Sequence, residues 1–127
     1  MTNSRRKGAE GEREIANILK NHGYDARRGQ QYSGANGDAD VVGLPGIHIE
    51  VKRVEALNID KAMEQAITDA KPGEIPAVFH RKNGKEWKAT VRLKDFIKLY
   101  KQAEAFEKIV DKQDDYIEFK CEYGEEI

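Results

Sequence analysis

Asp40, Glu50 and Lys52 are the residues whose types and spacing could hold a metal ion and place an amine beside it. Residues 47–52 alternate apolar and polar side chains, and this period-2 pattern predicts a β-strand. The odd-numbered positions are apolar and belong in the core, so His48, Glu50 and Lys52 share the opposite face. Glu50 and Lys52 would then lie roughly 6–7 Å apart. Charged groups on a central strand are costly to desolvate unless something compensates them, and a metal ion would do so.

Asp40 lies on the strand predicted before this one, across a turn at Pro45-Gly46. In an antiparallel hairpin around that turn, the numbers of facing positions sum to about 90 or 91, so Asp40 is opposite Glu50. Their Cβ atoms would be about 4.5–5.5 Å apart. A divalent cation between the two carboxylates would replace repulsion with binding, and hard oxygen ligands suit Mg²⁺ or Mn²⁺. A slip of one residue would put Asp40 on the other face.

Glu12 is a fourth candidate and lies on the first predicted helix, over residues 8–22. Ile15 and Leu19 follow it by three and seven residues, so Glu12 shares the apolar stripe of the helix rather than its polar face. A metal site would explain a glutamate that faces inward. The alternative is a carboxylate near a helix N-terminus that interacts with the helix dipole, worth ~0.3–1 kcal/mol.

The elements that position these residues follow from hydrophobic periodicity and turn signals. The predicted order is a helix over 8–22, a short strand over 24–28, a glycine-rich loop over 29–37, strands over 38–44 and 47–54, a helix from Asn58 or Asp60 to Ala70, strands over 75–80 and 86–93 around an Asn83-Gly84 turn, and a helix over 94–110. This order predicts an α/β fold in which helices flank a mixed central β-sheet. We expect a single domain over 1–110. An acidic C-terminal extension over 111–127 would either be mobile or add an edge strand over 116–123.

The composition fits one intracellular domain. The chain has 127 residues, 39% of them apolar. No apolar run approaches the ~20 residues that cross a bilayer, and residues 1–7 lack the apolar core of a signal peptide. Cys121 is the single cysteine, which excludes an internal disulfide and fits a reducing compartment. The sequence therefore predicts a soluble, cytoplasmic protein.

The net charge of −1 hides an uneven distribution. Residues 81–101 hold eight Lys or Arg against two Asp or Glu, whereas residues 102–127 hold three against nine. The basic stretch could contact phosphates, which would repel the acidic end. Ordinary solvated surfaces explain the same counts.

Three segments together resemble the archaeal-type Holliday junction resolvases. They are Lys-Gly-Ala-Glu-Gly-Glu-Arg-Glu over residues 7–14, Asp-Val-Val over 40–42 and Ile-Glu-Val-Lys over 49–52. These resolvases belong to the PD-(D/E)xK nuclease superfamily, so the resemblance implies a restriction-endonuclease-like fold. It is strongest over residues 5–53 and weaker up to residue 93. Ala39 stands where the superfamily motif has a proline, and this position varies among its members.

The resemblance implies a role for each matched site residue. Asp40 and Glu50 would bind Mg²⁺, or Mn²⁺ in its place, together with the backbone carbonyl of Val51. Lys52 would orient or activate the attacking water, as a base or as a fixed charge. Glu12 would complete the shell of the metal or of the water. Similar proteins are homodimers that place paired cuts in a four-way DNA junction.

Basic and polar residues are the candidates for contact with that DNA, mainly through its phosphates. From the resemblance come Arg28, which follows the first strand, and Ser33 in the glycine-rich loop. From position come Arg5, Arg6 and Lys7, which are predicted to precede the first helix as a gripping or unordered segment. Around the predicted turn lie Arg81, Lys82 and Lys85. Gln65 on the middle helix could reach the site or be solvated.

The leading hypothesis is a structure-selective endonuclease that resolves four-way junctions. A nuclease of the same fold that acts on other DNA, in restriction or repair, would have the same metal centre. A non-catalytic DNA-binding module is a third hypothesis, and it predicts a disrupted acidic centre. Asp40, Glu50 and Lys52 are all present, which disfavours the third hypothesis.

Overall fold

The computed structural model describes residues 2–30 and 39–121, with side chains for residues 6–30 and 39–111. The described elements are, in order, α1 (Thr2–Asn21), β1 (Arg27–Arg28), β2 (Val41–Val42), β3 (Ile47–Arg53), α2 (Ile59–Asp69), β4 (Ile75–Arg81), β5 (Lys88–Val91) and α3 (Leu93–Cys121). The chain divides into two compact units between Arg92 and Leu93. The first unit holds the sheet with α1 and α2, and α3 belongs to the second. The predicted division at residue 110 stays a prediction.

The five strands form one sheet in the order β1-β2-β3-β4-β5. Neighbouring strands are antiparallel except β3 and β4, which are parallel. Parallel neighbours need a crossover connection, and α2 supplies it. The prediction of a mixed central sheet with helices is confirmed.

The hairpin of β2 and β3 has the predicted register. Val41 pairs with Ile49, so the numbers of facing positions sum to 90. Gly46 turns the chain with φ of +85°, a backbone conformation that favours glycine. The strand over 38–44 was predicted too long, because only Val41 and Val42 pair as β2.

The two faces of β3 pack against different helices. Ile49 and Val51 join Ile15 of α1 in the larger buried cluster. A Cβ at Gly11 would lie 3.1 Å from the Arg53 Cβ, so this glycine lets α1 approach the sheet closely. On the other side, Ala62 and Ala66 of α2 pack against Val78 of β4. Val78 pairs with Glu50, so the site residues of β3 face the α2 side of the sheet.

The first helix was predicted to begin near residue 8, but α1 begins at Thr2. Arg5, Arg6 and Lys7 therefore do not precede the helix but lie within it. Arginine, lysine, alanine and glutamate are good helix formers, and together they outweigh the ~1 kcal/mol that Gly8 costs.

The C-terminal helix is longer than predicted. α3 was predicted to end near Val110, but it continues to Cys121. Residues 116–121 are therefore helical rather than an edge strand, and residues 122–127 lie outside the described part of the chain. No glycine or proline interrupts residues 93–121, so nothing in the sequence stops the helix. None of the described helices is both long and apolar enough to cross a membrane.

Candidate active site

The hairpin brings the carboxyl groups of Asp40 and Glu50 together. The Val51 amide donates a hydrogen bond of 2.8 Å to Asp40 Oδ2. The Asp40 amide donates to the Ile49 carbonyl over 3.0 Å, which extends the hairpin contact beyond β2. A hydrogen bond between the two carboxyl groups raises the pKa of Asp40 and lowers the pKa of Glu50, which makes Asp40 the favoured donor. Asp40 and Glu50 therefore face the same space, as the strand alternation and the register predicted.

Burial raises the pKa of Asp40 to about 7, and the negative charges of Glu50 and Glu12 act in the same direction. The hydrogen bond from the Val51 amide opposes this rise because it favours the ionised form. Near neutral pH the pair therefore shares one proton, since two adjacent buried carboxylates repel each other. A divalent cation would relieve the same repulsion without a proton.

Glu50 stays ionised in spite of its burial. Burial alone would raise the pKa of Glu50, but hydrogen bonds from His48 and Asp40 and the charge of Lys52 together lower it. His48 Nε2 lies 2.8 Å from Glu50 Oε1, and both side chains are only 5% exposed. The bond to Glu50 in turn raises the pKa of His48, although burial opposes this. The imidazole therefore serves Glu50 as a hydrogen-bond donor.

Asp69, at the end of α2, places a further carboxylate near His48 and Glu50. The ligand atoms of His48, Glu50 and Asp69 all lie within 4.8 Å of one another, the one such group of three among the residues that the structure describes. Glu74 Oε1 lies 3.7 Å from His48 Nδ1. The sequence did not indicate Asp69 or Glu74, because their approach depends on the parallel pairing of β3 with β4.

Lys52 lies on the same face of β3 as Glu50. Its Nζ donates a hydrogen bond of 3.4 Å to Gln65 Oε1 on α2. Gln65 is exposed and also contacts the site through this bond, so both predicted features of this residue are seen. The amine is partly exposed, so it can reach a ligand at the surface as well as the carboxyl pair.

Glu12 faces the sheet, as its place on the apolar stripe predicted. Its carboxylate forms an ion pair of 3.0 Å with Arg28 Nε, and its side chain is 15% exposed. Its negative charge acts on Asp40. It does not belong to the group of His48, Glu50 and Asp69. Glu12 thus contributes charge at the edge of the site, and its role as a ligand stays a prediction.

The predicted DNA-binding residues fall into three groups. The side chains of Arg5 and Ser33 lie outside the described part of the chain. Arg28, Lys7 and Arg81 form ion pairs, with Lys7 Nζ 4.0 Å from Glu55 and Arg81 Nη2 2.8 Å from Glu14. Arg6 and Lys82 are exposed. Arg53 pairs with Glu10 of α1, so it points away from the site.

The donor set fits a divalent cation. Glu50, which is buried, and Asp40, which is partly buried, both offer hard carboxylate oxygens, and these are the ligands that Mg²⁺ and Mn²⁺ prefer. The Val51 amide fixes Asp40, and His48 fixes Glu50, which is how outer partners orient metal ligands. A positive amine next to an anionic pair is an arrangement that can act on a phosphate ester.

Comparison with known proteins agrees with this chemistry. The model of the archaeal Holliday junction resolvase (Hjc) family matches residues 3–88. Five chains of solved structures match, among them Hjc from Archaeoglobus fulgidus, a Holliday junction resolvase from an archaeal hyperthermophile. That similarity has 27% identity and a TM-score of 0.50, and it covers 67% of this chain and 72% of the other. No curated protein matches. Because the family match spans more than half of the residues, the chain belongs to the archaeal Holliday junction resolvase family.

Proposed function

We propose that this protein is a Mg²⁺-dependent DNA endonuclease that resolves four-way junctions by phosphodiester hydrolysis. Membership of the family supports a junction-cutting DNA endonuclease. The observation that carries the proposal is the Asp40–Glu50 carboxyl pair beside Lys52, inside the matched residues 3–88. The proposed enzyme works as a homodimer in the cytoplasm, where two sites related by two-fold symmetry would place paired cuts.

Asp40 and Glu50 are the residues that would hold Mg²⁺ or Mn²⁺, with Glu12 and the Val51 carbonyl as further ligands. The bound ion would lower the pKa of a water and neutralise charge at the scissile phosphate. The protein's own part is to orient both carboxylates through the Val51 amide and His48. Lys52 adds a positive charge on the same face of β3, held near Gln65.

Replacing Lys52 by alanine is expected to lower junction cleavage about 10²-fold, because a preorganised charge near the reacting phosphate is lost. The variant should still bind the junction, since one amine contributes little to the total phosphate contact. Single-turnover cleavage and a binding titration on the same labelled junction measure the two effects. Gln65→Ala, which removes the partner but keeps the amine, is the matched control and should lose less activity. Wild-type cleavage by Lys52→Ala would remove Lys52 from the mechanism.

Metal affinity is expected to rise with pH across neutrality. Metal ligands must be deprotonated, and Asp40 has a pKa of about 7, so below neutrality the ion must displace a proton. The affinity for the metal ion should therefore be lower at low pH, by about tenfold at pH 6 compared with pH 8. Calorimetry with Mn²⁺ at several pH values measures this change. Asp40→Asn should remove both the tight binding and its pH dependence, whereas a pH-independent affinity in the wild-type protein would contradict the assignment.

A nuclease of the same fold that acts on other DNA is the second candidate, since the metal centre does not distinguish substrates. The proposed DNA-contacting residues of the first candidate are Arg5, Arg6, Lys7, Arg28, Ser33, Arg81 and Lys82. The test compares cleavage of a synthetic four-way junction with that of a linear duplex of the same sequence, in Mg²⁺. Preferred cutting of the junction supports the proposal, and equal or preferred cutting of the duplex supports the alternative.

A further inference from the structure

Two hollows on the α2 side of the first unit share a wall. One, of about 240 Å³, is lined by Lys52, Asn58, Lys61 and Gln65. The other, of about 230 Å³, is lined by His80 and by the basic residues around the β4–β5 turn. Both are also lined by Val54 and Leu57. The two hollows therefore adjoin each other at these two residues, and we call them together the groove, with the Lys52 amine at one end and the β4–β5 turn at the other.

The groove carries positive charge along its whole length. Its basic residues are Lys52, Lys61, Arg81, Lys82, Lys85 and Lys88, and no described acidic residue lines either hollow. Lys61, Lys82, Lys85 and Lys88 are exposed, and none of the ion pairs among the described residues involves them. Four cations are thus available to a ligand. Glu55 lies near the turn, where it accepts a hydrogen bond of 2.8 Å from the backbone amide of Asn83, and its negative charge is paired with Lys7 at 4.0 Å.

Arg81 differs from the four exposed lysines because its guanidinium contacts both α1 and the turn. Its guanidinium pairs with Glu14 at 2.8 Å and lies 5.5 Å from the centre of the Trp87 ring. It also donates bonds of 3.4 Å to the carbonyls of Lys82 and Lys85. Arg81 therefore fixes the turn that carries these two lysines, in addition to its own proposed contact with DNA.

We propose that this groove holds the sugar-phosphate backbone of one junction arm, on a path from the active site to the β4–β5 turn. The inference rests on the proposed function, because it takes the scissile phosphate to lie at Lys52. An open groove with exposed lysines fits a chain of phosphates better than a small molecule. Lysine is a point charge without a planar fork, so the contact is independent of base sequence.

The experiment measures the salt dependence of junction binding for matched double variants. Lys82→Gln/Lys85→Gln and Lys61→Gln/Lys88→Gln each remove two groove charges from different elements. Lys20→Gln/Lys71→Gln removes two charges outside the groove and is the control. Each lost phosphate contact lowers the slope of log K against log salt by about 0.9, so each groove variant should lose about two and bind at least about tenfold more weakly at 0.1 M salt. The control should keep the wild-type slope.

Two results would contradict the proposal that the groove binds DNA. One is a wild-type slope in both groove variants, and the other is an equal loss in the control, which would indicate net charge alone. A measurement on the wild-type protein guards against misfolded variants: bound junction should protect Lys82 and Lys85 from acetylation, and lack of protection counts against the groove. A wild-type protein that neither binds nor cuts the junction would defeat the proposed function instead, so the two failures are distinguishable.

Discussion

Replacing Glu50 by glutamine is expected to lower junction cleavage about 10²–10³-fold, because an electrostatic centre built for the transition state is lost. Glu50 is the carboxylate that stays ionised, since His48 and Asp40 donate hydrogen bonds to it and Lys52 lies on the same face. Glutamine has nearly the same shape but no charge, so the amide would weaken the hold on a divalent cation. Junction binding should be retained, because it rests on phosphate contacts elsewhere.

The measurement pairs single-turnover cleavage in Mg²⁺ with calorimetric binding of Mn²⁺. Asp69→Asn is the informative control, because Asp69 approaches both Glu50 and His48 but not through the β2–β3 hairpin. If the ion lies between Asp40 and Glu50, Asp69→Asn should retain most activity. If it lies among His48, Glu50 and Asp69, both variants should fail alike. Wild-type activity in Glu50→Gln would end the nuclease assignment of this centre.

The proximity of the Asp40 and Glu50 carboxyl groups could be predicted from the sequence because the rules behind it are local. Strand alternation over 47–52 fixes which side chains share a face, and a short turn fixes the partner of each position. Asp40 and Glu50 depend only on these two rules. Asp69 and Glu74 lie in the connection between the parallel strands β3 and β4, and they approach His48 only when these strands pair. No short-range pattern in the sequence encodes that pairing. The ion pair of Glu12 with Arg28 joins α1 to β1, and it too depends on tertiary packing that a short-range pattern does not predict.

The element types were also predictable, whereas their ends were less so. The middle helix was predicted to begin at Asn58 or Asp60, and Asn58 is its N-cap, because Asn58 Oδ1 accepts a hydrogen bond of 3.1 Å from the Lys61 backbone amide. The start of α1 and the end of α3 were misplaced, since the prediction began the first helix at Gly8 and ended the last one where the composition becomes acidic. Neither feature ends a helix. An isolated glycine lowers helix stability by only ~1 kcal/mol, and glutamate and lysine are good helix formers on a solvent-exposed helix.

Replacing Gly43 by alanine is expected to destabilise the fold and to disturb the position of Asp40, because the backbone leaves no room for a Cβ at this residue. Gly43 has φ of +131°, and an added Cβ would lie 2.5 Å from the Ala26 Cα and 2.7 Å from the Asp25 carbonyl oxygen. Both are backbone atoms next to the pairing of β1 with β2. Backbone strain of about 1–3 kcal/mol and overpacking of about 1–3 kcal/mol would add to roughly 2–6 kcal/mol.

The free energy of unfolding from a denaturant titration measures this loss. Gly46→Ala is the matched control in the same hairpin, since Gly46 also has a positive φ but nothing lies within 4 Å of its Cβ position. It should cost only the left-handed strain, about 1–2 kcal/mol. The Gly29 amide donates to the Asp40 carbonyl at 2.9 Å, so displacement of β1 should also disturb Asp40 and lower cleavage. Equal stability of the two variants would show that the backbone at Asp25 and Ala26 moves to make room for the added Cβ. The hairpin would then hold Asp40 without this close contact.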